Sequence, residues 1–90
     1  LLVDVRGSGM RQVDPRRIPG AISLSLDTLA AQAASWPPGQ PVVTYCSCPD
    51  EATAAEAARR LHAQGRLRAW PLEGGLEAWM AAEEASRLNP

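Results

Sequence analysis

The 90-residue chain contains no lysine, and nine arginines stand against ten acids for a formal net charge of −1. Without a lysine amine no Schiff base can form, and without a general positive field there is nothing to draw in a nucleic-acid backbone. Only two cysteines are present, Cys46 and Cys48, with one residue between them, so a disulfide framework is out of reach. Together with the single histidine, His62, they cannot complete a four-ligand zinc site; neither a metal nor an organic cofactor is implied. The longest uncharged apolar runs fall far short of the roughly 20 residues of a membrane helix, and no signal-peptide pattern is visible. What remains, 46% hydrophobic and 21% charged, is ordinary for one small soluble domain. A reducing, cytoplasmic setting with at least one free thiol is the expectation.

The stretch from Pro41 to Ala58 carries the most chemistry. Val42, Val43 and Tyr45 form a β-prone run, Cys46-Ser47-Cys48-Pro49-Asp50 follows, and an alanine-rich helix former begins at once, bearing Glu56, Arg59, Arg60 and Leu61. In a strand-loop-helix unit the loop meets the helix amino end, where unpaired N–H groups and the helix dipole favour an anion. Cys46, first past the strand, is therefore placed to ionise, and thiolate is the nucleophilic form. Cys48 could resolve a persulfide or bridge to Cys46, but a bridge across one residue is strained, and a small loop-filling side chain is the simpler reading.

Elsewhere the chain alternates strands and helices. Leu1 to Val5 reads as a buried strand starting at the first residue, so the chain is expected to be a piece of a longer one lacking an amino-terminal segment. Asp4 and Arg6 end that strand at the same carboxyl edge as Cys46, where α/β proteins place their ligands; a structural ion pair is the plain reading and an anion contact at Arg6 the alternative. Ser8 to Pro19 is a polar surface loop, with Arg16 and Arg17 solvated. Ala21 to Leu24 suggests a short strand, and Ser25 an N-cap ahead of Leu26, Leu29, Ala30 and Ala33, with the helix stopping near Trp36. The helix after the cysteine loop starts around Asp50, shows Ala55, Ala58 and Leu61 inward, and ends before Gly65. Leu67 to Leu72 is a further strand whose Pro71 indicates an edge. After the Glu73-Gly74-Gly75 turn, Leu76, Trp79 and Met80 stripe a last amphipathic helix, with Glu77, Glu83 and Glu84 on its wet face. His62 is read as solvated rather than as a base, and Trp36, Trp70 and Trp79 as packing. This alternation predicts an α/β domain, a parallel sheet with helices on both faces.

Four landmarks resemble the rhodanese-like sulfurtransferase domains: Val3-Asp4-Val5-Arg6, Ile18-Pro19-Gly20-Ala21, Val43-Thr44-Tyr45-Cys46, and Leu72-Glu73-Gly74-Gly75-Leu76-Glu77-Ala78-Trp79. The resemblance implies a single three-layer rhodanese-like domain over residues 1–90 and a persulfide-forming nucleophile at Cys46. It also implies a substrate-binding loop of Ser47, Cys48, Pro49, Asp50, Glu51 and Ala52, with Asp4 and Arg6 in support. A small-molecule sulfur donor and a thiol or cyanide-like acceptor follow as partners. The family also occurs as a module fused to other domains, so an amino-terminal partner, including one that tethers the chain to a membrane, is compatible with it. The family loop resembles Cys-x-x-Gly-x-Arg, whereas this chain has Pro49 for the glycine and Glu51 for the arginine, and Arg17 stands where a histidine often precedes Ile-Pro-Gly-Ala. Pro49 removes one N–H from the anion cradle, and an inward Glu51, at about 5 Å and an effective dielectric of about 20, would oppose an anionic donor by roughly 3 kcal/mol. Together those departures weigh against thiosulfate as the donor more than against sulfur transfer, and the glutamate in place of the arginine is the best argument for the competing reading, a non-catalytic interaction or regulatory module. A phosphatase-like activity is weaker, because the loop has no arginine to hold a phosphoryl group.

Overall fold

The computed structural model describes residues 1–6, 12, 15–46 and 52–88. Among them are β1 (Leu2–Asp4), β2 (Ile22–Ser23), α1 (Leu26–Ala33), β3 (Val42–Tyr45), α2 (Ala52–Ala63), β4 (Ala69–Pro71) and α3 (Gly75–Leu88). The strands pair in parallel in the order β2-β1-β3-β4. Register sets the faces, because aligned neighbours point the same way. Val3 aligns with Thr44, and Val42 with Ala69; this face packs with Leu29 and Ala33 of α1 and Ala54, Ala57 and Leu61 of α2. Tyr45 points to the other face, where Leu76 of α3 and Ile18 are buried with it and Leu72, Trp79 and Met80 pack alongside. The result is the expected α/β arrangement. Fully burying a leucine such as Leu29 or Leu61 contributes about 1.5–3 kcal/mol, so each carries a large share of a small core.

Local signals explain most boundaries. Ser25 caps α1, accepting from the Thr28 N–H while the Thr28 hydroxyl accepts from the Ser25 N–H, a reciprocal capping box. Gly65, at φ +93°, ends α2: its N–H donates to His62 and that of Arg66 to Leu61, so two terminal carbonyls are satisfied. On the exposed face of α2, Glu56 pairs with Arg59 and Arg60, which hold its carboxyl below the ordinary range.

Several expectations shift. The buried set of α2 is Ala54, Ala57, Ala58 and Leu61 rather than Ala55, Ala58 and Leu61. Ala55 is half-buried on its shoulder, because an alanine-rich helix holds few large side chains to fix its phase. Helix α1 ends at Ala33, three residues before Trp36. The first strand is shorter than Leu1–Val5, although Val5 N–H still donates to Tyr45 and Leu1 C=O still accepts from Val43. β4 is confined to Ala69–Pro71, at the sheet edge that Pro71 indicated. Ser8 to Asp14, apart from Gln12, lie outside the described residues, as does Asp50, the expected helix start. Among the described residues no helix is long and apolar enough to cross a membrane.

Candidate active site

Tyr45 closes β3, and Cys46 is the first residue past it, only 2% exposed. The Cys46 carbonyl accepts a hydrogen bond from the Leu76 N–H at the start of α3, at 3.2 Å. Gly75 sits beside it at φ +60°, and a Cβ built there would collide with the Cys46 carbonyl oxygen. The Cys46 sulfur is held in a disulfide, not as the free thiol that was expected. Cys48, the chain's other cysteine, lies outside the described residues. A thiolate at Cys46 therefore requires prior reduction.

A buried polar network surrounds Tyr45, the residue before Cys46. Asp4 and Arg6, 1% and 3% exposed, form an ion pair at 2.9 Å. Asp4 accepts from the Arg6 backbone N–H (2.9 Å) and from its Nε and Nη2, while Nη2 also donates to the Arg16 carbonyl at 2.6 Å. Asp4 is in register with Tyr45 on the neighbouring strand, which brings the phenol to it. The Tyr45 hydroxyl also accepts from the Ile18 N–H at 3.3 Å. Burial pushes the phenol above its ordinary range; the Ile18 bond and Arg6 act against the rise, and Asp4 adds to it. One strand position earlier, the Thr44 hydroxyl donates to the Ala54 carbonyl at 2.8 Å, tying β3 to α2. Thus the strand end that carries Cys46 is clamped from both faces.

Of the proposed loop, Ser47, Cys48, Pro49, Asp50 and Glu51 lie outside the described residues, and Ala52 begins α2, exposed. Asp4 and Arg6 come together at the carboxyl edge beside Tyr45, whose carbonyl accepts the Val5 N–H at 3.0 Å. His62 lies at the opposite edge, with Nε2 2.8 Å from the carbonyl of Ala69, the first residue of β4. Arg16 is not simply solvated: it pairs with Glu77 of α3, and Arg17 donates to the Ala21 carbonyl. Trp36 is half-buried beneath the Arg66 guanidinium, whereas Trp70 is 49% exposed. A cavity of about 550 Å³ lined by Gln40, Gln64, Arg66 and Arg68 opens at the amino edge, away from Cys46. Its arginines donate to the carbonyls of Trp36, Pro37 and Gly39, as cations at helix and turn ends do. Among the described residues no three of His, Cys, Asp and Glu are grouped as a metal ion requires.

The contact of Leu76 with the Cys46 carbonyl was not foreseen, since it joins residues 30 positions apart in sequence and its only trace is the paired glycine before an amphipathic helix. The Tyr45 network is equally silent in sequence, although a tyrosine ending a buried strand calls for a hydroxyl partner.

The family model described as Rhodanese-like domain matches residues 1–82. No curated protein matches. Among solved structures, the Rhodanese_3 like domain of an Anabaena sp. protein is 27% identical, with a TM-score of 0.75 over 90% of this chain and 90% of that one. A rhodanese-like domain protein from Staphylococcus aureus is 27% identical, with a TM-score of 0.70 over 87% and 72%. A Rhodopseudomonas palustris protein of unknown function, described as a possible tyrosine phosphatase, is 25% identical, with a TM-score of 0.72 over 92% and 67%. A family match from residue 1 to residue 82, on a parallel sheet whose carboxyl edge carries Cys46 against the start of α3, makes this chain a member of the rhodanese-like domain family.

Proposed function

We propose that the domain is a sulfurtransferase that carries sulfane sulfur as a persulfide on Cys46. The observation that carries this reading is the position of Cys46: buried, one residue past a central strand, before α2 and against the first turn of α3. Helix amino ends lower the cost of a negative charge, which both the thiolate and the persulfide bear. A dithiol first reduces the Cys46 disulfide and is itself oxidised. The Cys46 thiolate then attacks the outer sulfur of a donor; the new S–S bond forms as the donor's own bond to that sulfur breaks, and its electron pair leaves with the remainder of the donor, as sulfite leaves thiosulfate. A thiol or cyanide-like acceptor next attacks the outer sulfur of the persulfide, takes it, and returns Cys46 as thiolate. The reading assigns the N–H groups of Ser47, Cys48, Asp50, Glu51 and Ala52 to the persulfide charge, Pro49 having none to give.

The test is sulfur transfer by the reduced protein from thiosulfate, and from an organic persulfide, to cyanide. Cys46→Ser should abolish transfer and Cys48→Ser should retain most of it. Equal losses would replace this scheme with a dithiol mechanism. A second reading, a non-catalytic interaction module, is favoured by Glu51 standing where the family loop has a cation, and it predicts no transfer from any donor. The Rhodopseudomonas neighbour gives reason to include an aryl phosphate in the same assay. No hydrolysis is expected, because Cys46 to Ala52 contains no arginine to bind a phosphoryl group.

A further inference from the structure

The structure assigns Gly75 a role as a positioning residue: the start of α3 closes on the Cys46 carbonyl so tightly that only a residue without a side chain fits, and this contact aims the cysteine. The inference rests on the reading of Cys46 as nucleophile and adds what holds it in place. Three observations converge. The Leu76 N–H donates to the Cys46 carbonyl at 3.2 Å. A Cβ at Gly75 would collide with that same oxygen and lie 3.6 Å from its carbon. The turn that presents Gly75 is itself anchored, for the Gly75 N–H donates to Leu72 at 2.9 Å and the Leu72 N–H to Thr44 at 2.7 Å. Thr44 in turn holds Ala54 of α2. Hence the start of α3 cannot yield to a larger residue without releasing β3, and the displacement falls on Cys46.

Other glycines show that this is not a general property of positive φ. Gly20, Gly39 and Gly65 have φ of +85°, +78° and +93°, yet a Cβ at any of them meets nothing within 4 Å. At Gly74 a Cβ would strike the Ala78 side chain within α3, not Cys46. Among the described glycines with positive φ, Gly75 alone has its Cβ space taken by Cys46. Fixing a nucleophile's carbonyl limits where its sulfur can point, and reactivity is sensitive to displacements of about 1 Å.

Gly65, Gly74 and Gly75 are each replaced by alanine, and the thermal midpoint is measured for every protein. The rate at which iodoacetamide alkylates Cys46 in the reduced protein is then followed at fixed pH and well below each midpoint, with the modified sulfur located by fragmentation mass spectrometry. All three variants should melt earlier, but Gly65→Ala and Gly74→Ala should alkylate within about twofold of the parent, whereas Gly75→Ala should differ by about tenfold or more. An unchanged rate in Gly75→Ala, or equal changes in Gly74→Ala and Gly75→Ala, would overturn the inference. Should Gly75→Ala fail to fold, Gly75→Asn carries the same Cβ on a residue that tolerates positive φ. In the parent protein, alkylation of Cys46 should also move the Leu76 amide resonance and leave that of Gly65 in place; a static Leu76 amide would equally overturn the contact's role. Alkylation needs no sulfur donor, so an absence of sulfur transfer would count against the functional reading and leave this result intact.

Discussion

Asp4→Asn removes the negative partner of a cation that is 3% exposed, and the outcome can be worked from the geometry. The substitution preserves shape but takes away the charge that faces Arg6 Nε and Nη2 at 2.9–3.2 Å. Breaking a buried pair from one side costs about 3–5 kcal/mol, because the remaining charge stays out of water. Arg6 keeps its bond to the Arg16 carbonyl, so the lower end, about 3 kcal/mol, is expected. For a domain of this length each kcal/mol moves the midpoint by about 4–8 °C, giving a fall of roughly 12–24 °C. The informative comparison is Asp4→Asn with Arg6→Met, which removes both charges and leaves a neutral, apolar side chain in the arginine's place. The double variant should melt above Asp4→Asn alone. Thermal unfolding followed by circular dichroism measures all four corners of the cycle. If Asp4→Asn costs less than about 1 kcal/mol, or the double variant is no better than the single, the pair is not the electrostatic clamp described here.

Three further outcomes follow. Tyr45 has its pKa raised above 10.0 by burial, so its neutral form is favoured in the fold; its contribution is complete below about pH 10 and is lost as pH climbs from there through the folded value. Midpoints measured across that alkaline window should fall more steeply in the parent than in Tyr45→Phe, and parallel curves would count against the assignment. Leu61→Ala empties a fully buried position between α2 and the sheet and should cost about 2–5 kcal/mol in urea unfolding, whereas Leu67→Ala, 73% exposed, should cost within about 0.5 kcal/mol. Glu51→Arg should raise the rate with thiosulfate, with a smaller gain at high ionic strength; an unchanged rate at low salt would mean that the acid does not face the donor.

How much was legible depended on whether the signal was local. Ser25 three residues ahead of Thr28, and Gly65 after the last turn of α2, act within a few residues, so the ends they mark followed from pattern alone. The alternation of apolar runs gave the parallel sheet and the place of Cys46 at its carboxyl edge. Phase was harder in α2, where the run of alanines leaves Leu61 as the only large apolar side chain to say which face turns inward. Most opaque were the contacts between distant segments. Nothing near Tyr45 announces that its hydroxyl will meet the Ile18 N–H, and nothing near Cys46 announces Gly75, because both meetings join segments far apart in sequence.

Intact-mass measurement tests the central claim most directly. The protein is reduced, freed of reductant, exposed to thiosulfate and separately to an organic persulfide, and then weighed and fragmented. The account predicts a gain of one sulfur atom with at least one donor, located on Cys46, absent in Cys46→Ser and removed by added cyanide. No added sulfur from either donor, or sulfur found on Cys48 alone, would contradict it.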